Sequence, residues 1–225
     1  AALAEGRFRD AFARIAERMA TSTRPAAYVL ELAQGNGALL YYGAHHDDDP
    51  ASAQQADICA RWAAFRPTVA LCEGRTRGYL VGPVFARIAG RPESALVHEL
   101  ARQGGVPLWS LEPEYADEVA LLLARFQPAD VALFFTLRVY WGESEGKSDE
   151  GLAEELRAKR TDVEGLRTAL ADLAAMDASW KALGASGDWR TWTGEMPGVL
   201  RDIDDASRAA RGEHMARVLL DLVHR

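Results

Sequence analysis

Apolar residues recur at helical spacing over residues 6–21, where Phe8, Phe12, Ile15 and Met19 share one face. The pattern then changes to two short apolar runs, 28–33 and 38–42, separated by Gln34-Gly-Asn-Gly37. Runs of that length joined by a Gly- and Asn-containing link predict a β-hairpin. Beyond Pro50 a helix is expected over 51–65 and a strand over 68–72. Ser94 then caps a helix to Gln103, stopped by Gly104 and Gly105, and a strand follows over 106–111. A helix over 114–125 leads to Pro128 and an apolar run, 131–137, which reads as a fourth core strand ending at Arg138. Strand alternating with helix predicts an α/β fold: a mainly parallel sheet flanked by helices.

From Trp141 the pattern is helical. Residues 142–151 form a charged, glycine-rich link. Leu152 and Leu156 begin one helix, and Asp162 is placed to cap a second with the stripe Val163, Leu166, Leu170, Leu173 and Trp180. With Trp189 and Trp192 these residues read as a helical insertion of about 143–195 after the fourth core strand. It is either a lid over the sheet edge or a packing layer, within a single domain spanning 1–225. The last helix, about 199–223, carries Arg211 on the same face as Met215, Val218 and Leu222. A guanidinium on an apolar stripe calls for a carboxylate or anionic ligand, unless it reaches solvent along its own stem. His214 is a secondary candidate on that helix, whereas His98 and His224 carry no functional signal.

The polar residues fall where a parallel sheet collects its functional groups, at the carboxyl ends of strands. The run 38–42 delivers His45 and His46, followed by three aspartates and Pro50; 68–72 ends at Glu73; 106–111 ends at Glu112; 131–137 ends at Arg138. Imidazoles and carboxylates at one edge supply metal ligands or acid–base groups. A polar, solvated rim is the plain alternative for each residue taken alone.

With 225 residues, 48% hydrophobic and 26% charged, the chain can bury a substantial core and reads as an ordinary soluble globular protein. Its net charge of −7, without a basic block, argues against nucleic acid or an anionic membrane as partner. No apolar run approaches the roughly 20 residues of a membrane helix. Cys59 and Cys72 form no CxxC, which disfavours a zinc–thiolate site; they read as small buried hydrophobes, or as a pair in an exported protein. The chain begins Ala-Ala-Leu rather than with Met, as it would after removal of an export signal, so both exported and cytoplasmic locations remain in view.

Gly43-Ala-His-His46 matches a GxxH motif after a core strand. Glu73 follows the next strand, residues 93–111 (ESALVHELARQGGVPLWSL) continue the pattern, and Arg211-Gly-Glu-His-Met-Ala216 is similar to an R-(D/N)-x-x-M-A signature. In this order and spacing the chain resembles the TraB/Tiki superfamily, which includes ChaN-like haem-binding proteins and the erythromycin esterases. The resemblance spans about 38–138 and 208–223. It implies an α/β fold with a site built from His46, Glu73 and Arg211. On that pattern a second GxxH is expected on a strand after the arginine helix, beyond Arg225, so the chain reads as truncated there. Gly212 departs from the signature.

Two functions follow as expectations. The first is a hydrolase acting on a peptide, amide or ester substrate. His46, alone or with a divalent metal (Mn, Co or Zn) held by His45 or His46, Glu73 and Glu112, would activate water, and Arg211 would stabilise the oxyanion. Glu112 could also orient His46. The second is binding without catalysis: His45 or His46 with Tyr41 or Tyr42 would ligate haem or a bare metal ion, with Trp141, Trp180 and Trp189 lining an apolar slot. A fold-only domain without activity is the third alternative.

Overall fold

The structure is a computed structural model in which residues 28–34, 37–45, 51–73 and 92–223 are described. The helix expected over 6–21 lies outside them. The chain divides into two compact units, one of residues 1–112 with 214–225, the other of residues 113–213.

In the first unit, β1 (Tyr28–Gln34) and β2 (Gly37–Gly43) pair antiparallel from Tyr28↔Gly43 to Gln34↔Gly37, the expected hairpin. Helix α1 (Ala53–Phe65) starts where the Ser52 hydroxyl accepts from the Gln55 amide. It stops at Arg66, whose left-handed φ of 51° precedes Pro67. The strand β3 (Ala70–Cys72) then pairs parallel with β4 (Leu108–Ser110), Cys72 opposite Ser110, and Leu111 N–H extends the ladder to the Cys72 carbonyl. Parallel neighbours need a crossover, and α2 (Pro92–Gly104) lies within it, ending at Gly105 with φ 62°. Ala95, His98 and Ala101, spaced by three on α2, are all buried.

The second unit is helical: α3 (Tyr115–Leu123), α4 (Pro128–Ser144), α5 (Glu150–Thr161), α6 (Leu173–Ala182), a 3₁₀ turn at Trp189–Thr191, and α7 (Val199–Val223) as far as Glu213. α4 is its axis, packing against α3, α5, α6 and the 3₁₀ turn. Every residue from Val131 to Leu137 is at most 1% exposed. The tryptophans pack around this axis in edge-to-face contacts, Trp141 with Trp180 and Trp180 with Trp192, while Trp189 meets Tyr140. Each indole N–H has a partner: Trp141 donates to the Trp189 carbonyl, Trp180 to the Gly187 carbonyl, Trp189 to the Asp177 carboxylate and Trp192 to the Glu195 carbonyl.

This architecture corrects the expected α/β fold with a mainly parallel sheet. The described residues hold seven α-helices and only two two-stranded sheets, of which one is parallel. The predicted fourth core strand, 131–137, is the centre of α4. Pro128 occupies its first turn, where the missing N–H costs nothing, and the Thr136 hydroxyl donates to the Ala132 carbonyl one turn back. A helix covered on all sides needs no polar face, so its apolar run carries no helical period and mimics a buried strand. Residues 143–195 are accordingly no insertion into a sheet: α5 and α6 bury Leu156, Met176 and Trp180 in the core of this unit. Asp162 closes α5 rather than opening a helix. Val163, Leu166 and Leu170 lie in a non-helical stretch, and Asp172 caps α6 by accepting from the Ala175 amide.

Candidate functional site

Because β3 and β4 run parallel with Cys72 opposite Ser110, the chain leaves both strands in the same direction, at Glu73 and Glu112. The Ser110 hydroxyl accepts from the Glu112 amide at 3.1 Å and turns the chain after β4. The Cys72 thiol feels the charges of both carboxylates. Burial first, and then the negative charges of Glu112 and Glu73, together push it up to about 11, so it stays protonated at neutral pH. Glu73 also acts on the first unit's other sheet: the Tyr41 hydroxyl on β2 is raised by burial and then by the charges of Glu73 and Tyr28. Glu73 and Glu112 thereby share a neighbourhood at Cys72, and Glu73 reaches Tyr41 as well.

Cys72 Sγ lies 3.5 Å from His98 Nε2, and the ring is 2% exposed. According to the tautomer, the thiol donates to the ring or the ring N–H to sulfur. Burial holds the imidazole below its ordinary value, so this is a neutral thiol–imidazole pair and not a thiolate nucleophile. The consequence for stability is directional. The unfolded chain takes up a proton near pH 6.5, which the folded chain resists until the pH falls further. We expect the stability of the native protein to be complete above that pH and to decline as the pH drops below it. Denaturant midpoints at pH 7.5 and 5.5 would check this, and His98→Phe should lose part of the decline; an unchanged decline would exclude His98 as its source.

His45 follows β2 and is exposed, but its backbone is held. Gln54 on α1 accepts from the His45 amide and donates to the His45 carbonyl, both at 2.8 Å. One turn along α1, Asp57 accepts from the Tyr42 hydroxyl at 3.1 Å, and with burial this takes that phenol up to about 12. Arg61, a further turn along, pairs with Asp57 at 2.9 Å and with Glu31 of β1 at 3.5 Å. A cavity of about 420 Å³ is lined by Glu31, Leu40, Asp57, Ala60, Arg61 and neighbours. Its guanidinium is already engaged by both of its carboxylates.

The remaining predicted residues are placed as follows. His46 lies outside the described residues, as do Asp47 to Pro50. Arg138 is not at a strand end; it is in α4, its guanidinium stacked over Phe134 and Phe135 at 5.4 and 5.7 Å. Arg211 is half-buried on α7 within the second unit, and His214 is half-buried three residues on, within the first. Cys59 and Cys72 are free thiols: Cys72 is buried, as one of the two readings had it, whereas Cys59 is exposed. Trp141, Trp180 and Trp189 fill the core of the second unit rather than line a slot. Among the described residues no group of three or more His, Cys, Asp and Glu side chains is placed to hold a metal ion. No described helix is long and apolar enough to cross a membrane.

Sequence reasoning passed over His98 and Gln54. His98 was legible, since Ala95 and Ala101 mark its face of α2 as apolar. Gln54 was not, because a side chain that grips a backbone nine residues away leaves no periodic trace.

No family model, curated protein or solved structure matches the chain.

Proposed function

We propose that the protein is a hydrolase of the TraB/Tiki and erythromycin-esterase type, in which the histidine turn after β2 and Glu73 after β3 activate water against a peptide, amide or ester carbonyl. The observation that carries this reading is the parallel pairing of β3 with β4. It supports a shared edge because Glu73 and Glu112 both act on the Cys72 thiol, while Glu73 also acts on Tyr41 of the strand leading to the histidines. In the mechanism an imidazole of the turn takes a proton from water as the oxygen attacks the carbonyl carbon. It then returns that proton to the leaving amine or alkoxide, and Glu73 orients the ring and favours its charged form. Glu112 is the second carboxylate available to hold the water. Arg211 belongs to the second unit and is given no step. The described donors do not make a three-ligand set, so no step is routed through a metal.

The test is hydrolysis of a peptide and ester library by chelator-treated protein, before and after addition of Mn²⁺, Co²⁺ or Zn²⁺, with His46→Ala in parallel. Cleavage lost in His46→Ala is the expected result, and restoration by a metal would define a metal-dependent variant of it. No cleavage under any condition would overturn the hydrolase. A Soret band on adding hemin, lost in His46→Ala, would then assign ChaN-like binding without catalysis.

A further inference from the structure

The backbone at His45 is held from α1, not from the hairpin alone. The β1–β2 ladder ends at Tyr28↔Gly43, two residues before His45. A two-stranded hairpin is at best marginally stable by itself, and the backbone beyond its last pair has no ladder partner to orient it. The carboxamide of Gln54 supplies that partner, satisfying both the N–H and the C=O of His45 at 2.8 Å as a neighbouring strand would. The same face of α1 continues the attachment at intervals of three and four residues: Asp57 receives the Tyr42 hydroxyl, and Arg61 reaches Glu31 across the hairpin. Ser52 caps the first turn of α1 by accepting from Gln55, so Gln54 projects from an anchored helix end.

We propose that Gln54 is the positioning residue of His45: its two-point grip on the His45 backbone sets where that imidazole is presented relative to the hairpin. The function of that position rests on the hydrolase reading; the grip itself does not. Gln54 touches no reacting atom, so its effect on catalysis passes through geometry, where small misplacement of a general base costs rate more than binding.

Two variants separate the halves of the grip. Gln54→Ala removes both bonds. Gln54→Glu keeps an acceptor for the His45 N–H but has no donor for the His45 carbonyl. Amide hydrogen exchange at His45 and the NMR resonances of its ring are followed in each, with kcat and KM on any substrate found. In Gln54→Ala we expect His45 exchange to rise about tenfold, the scale of one lost hydrogen bond, and the ring resonances to move toward those of an unconstrained histidine. In Gln54→Glu the amide should stay protected while the ring resonances still shift, and kcat should fall in both variants with KM near the native value. Exchange and ring resonances unchanged in Gln54→Ala would overturn the proposal whatever the activity. A hydrolase whose kcat is indifferent to both variants would overturn the positioning role even with the grip intact. Absence of any hydrolysis counts against the hydrolase alone, and exchange with the ring resonances then decides the grip.

Discussion

Replacing Trp189 by alanine is expected to cost about 3–5 kcal/mol of stability, the range for deleting a fully buried tryptophan. The side chain is 1% exposed and its ring meets Tyr140 edge to face at 5.3 Å. Its N–H donates to Asp177 at 2.7 Å, and Arg190 stacks over it at 4.3 Å while pairing with the same Asp177. The cavity left by the substitution would therefore adjoin a carboxylate that has lost a donor. Around it, Arg190 also reaches Glu150 and Asp188, so the indole sits under a charged web joining α5, α6 and the 3₁₀ turn. Denaturant midpoints would measure the loss. Trp189→Phe, which keeps a ring but not the N–H, should lose clearly less; a loss under about 1 kcal/mol in Trp189→Ala would show that the site collapses or that this unit is not packed as described.

The second large effect is on chemistry. In the hydrolase proposed above, Glu73→Gln is expected to lower kcat by about 10²- to 10⁴-fold, the usual contribution of an acid–base group. The change is nearly isosteric and Glu73 is exposed, so the denaturation midpoint should hold. An independent readout is available in the same variant. After burial and Glu112, the Glu73 charge also raises the Cys72 thiol, so its removal is expected to lower that thiol. The pH dependence of alkylation in a Cys59→Ser background would report this, since Cys59 is the exposed competitor. A lowered thiol with unchanged hydrolysis would leave the edge as described and remove Glu73 from the reaction.

Both effects depend on features of unequal visibility in the chain. The hairpin and α1 were legible because their signals are local: a Gly- and Asn-containing link between apolar runs, and a helical stretch bounded by Pro50 and Pro67. The strand before Glu73 and the strand before Glu112 were also legible, although each is only three residues long, 70–72 and 108–110, within the runs expected over 68–72 and 106–111. Val131 to Leu137 were misread because burial on every side erases the period that distinguishes helix from strand, and the error propagated. A fourth strand turned two small sheets into one large one and made Arg138 a strand-end residue. The tryptophans shared this fate: spacing placed Trp180 on a helical stripe, but only mutual packing and N–H bonds assigned it, Trp141 and Trp189 to a core.

By itself, then, the sequence determined what is set by neighbours a few residues apart: the extent of α1, the existence of the β1–β2 hairpin, and the acids that follow β3 and β4. Tertiary structure alone decided what depends on partners far along the chain. It paired Cys72 with His98 across 26 residues and seated α4 among four other elements. It also gave the backbone of His45 a partner in Gln54. The reason is physical. Capping and turn preferences act through bonds that are local in sequence, whereas burial and long-range hydrogen bonding depend on which surfaces meet, and amphipathic periodicity vanishes at the one helix that is most completely buried.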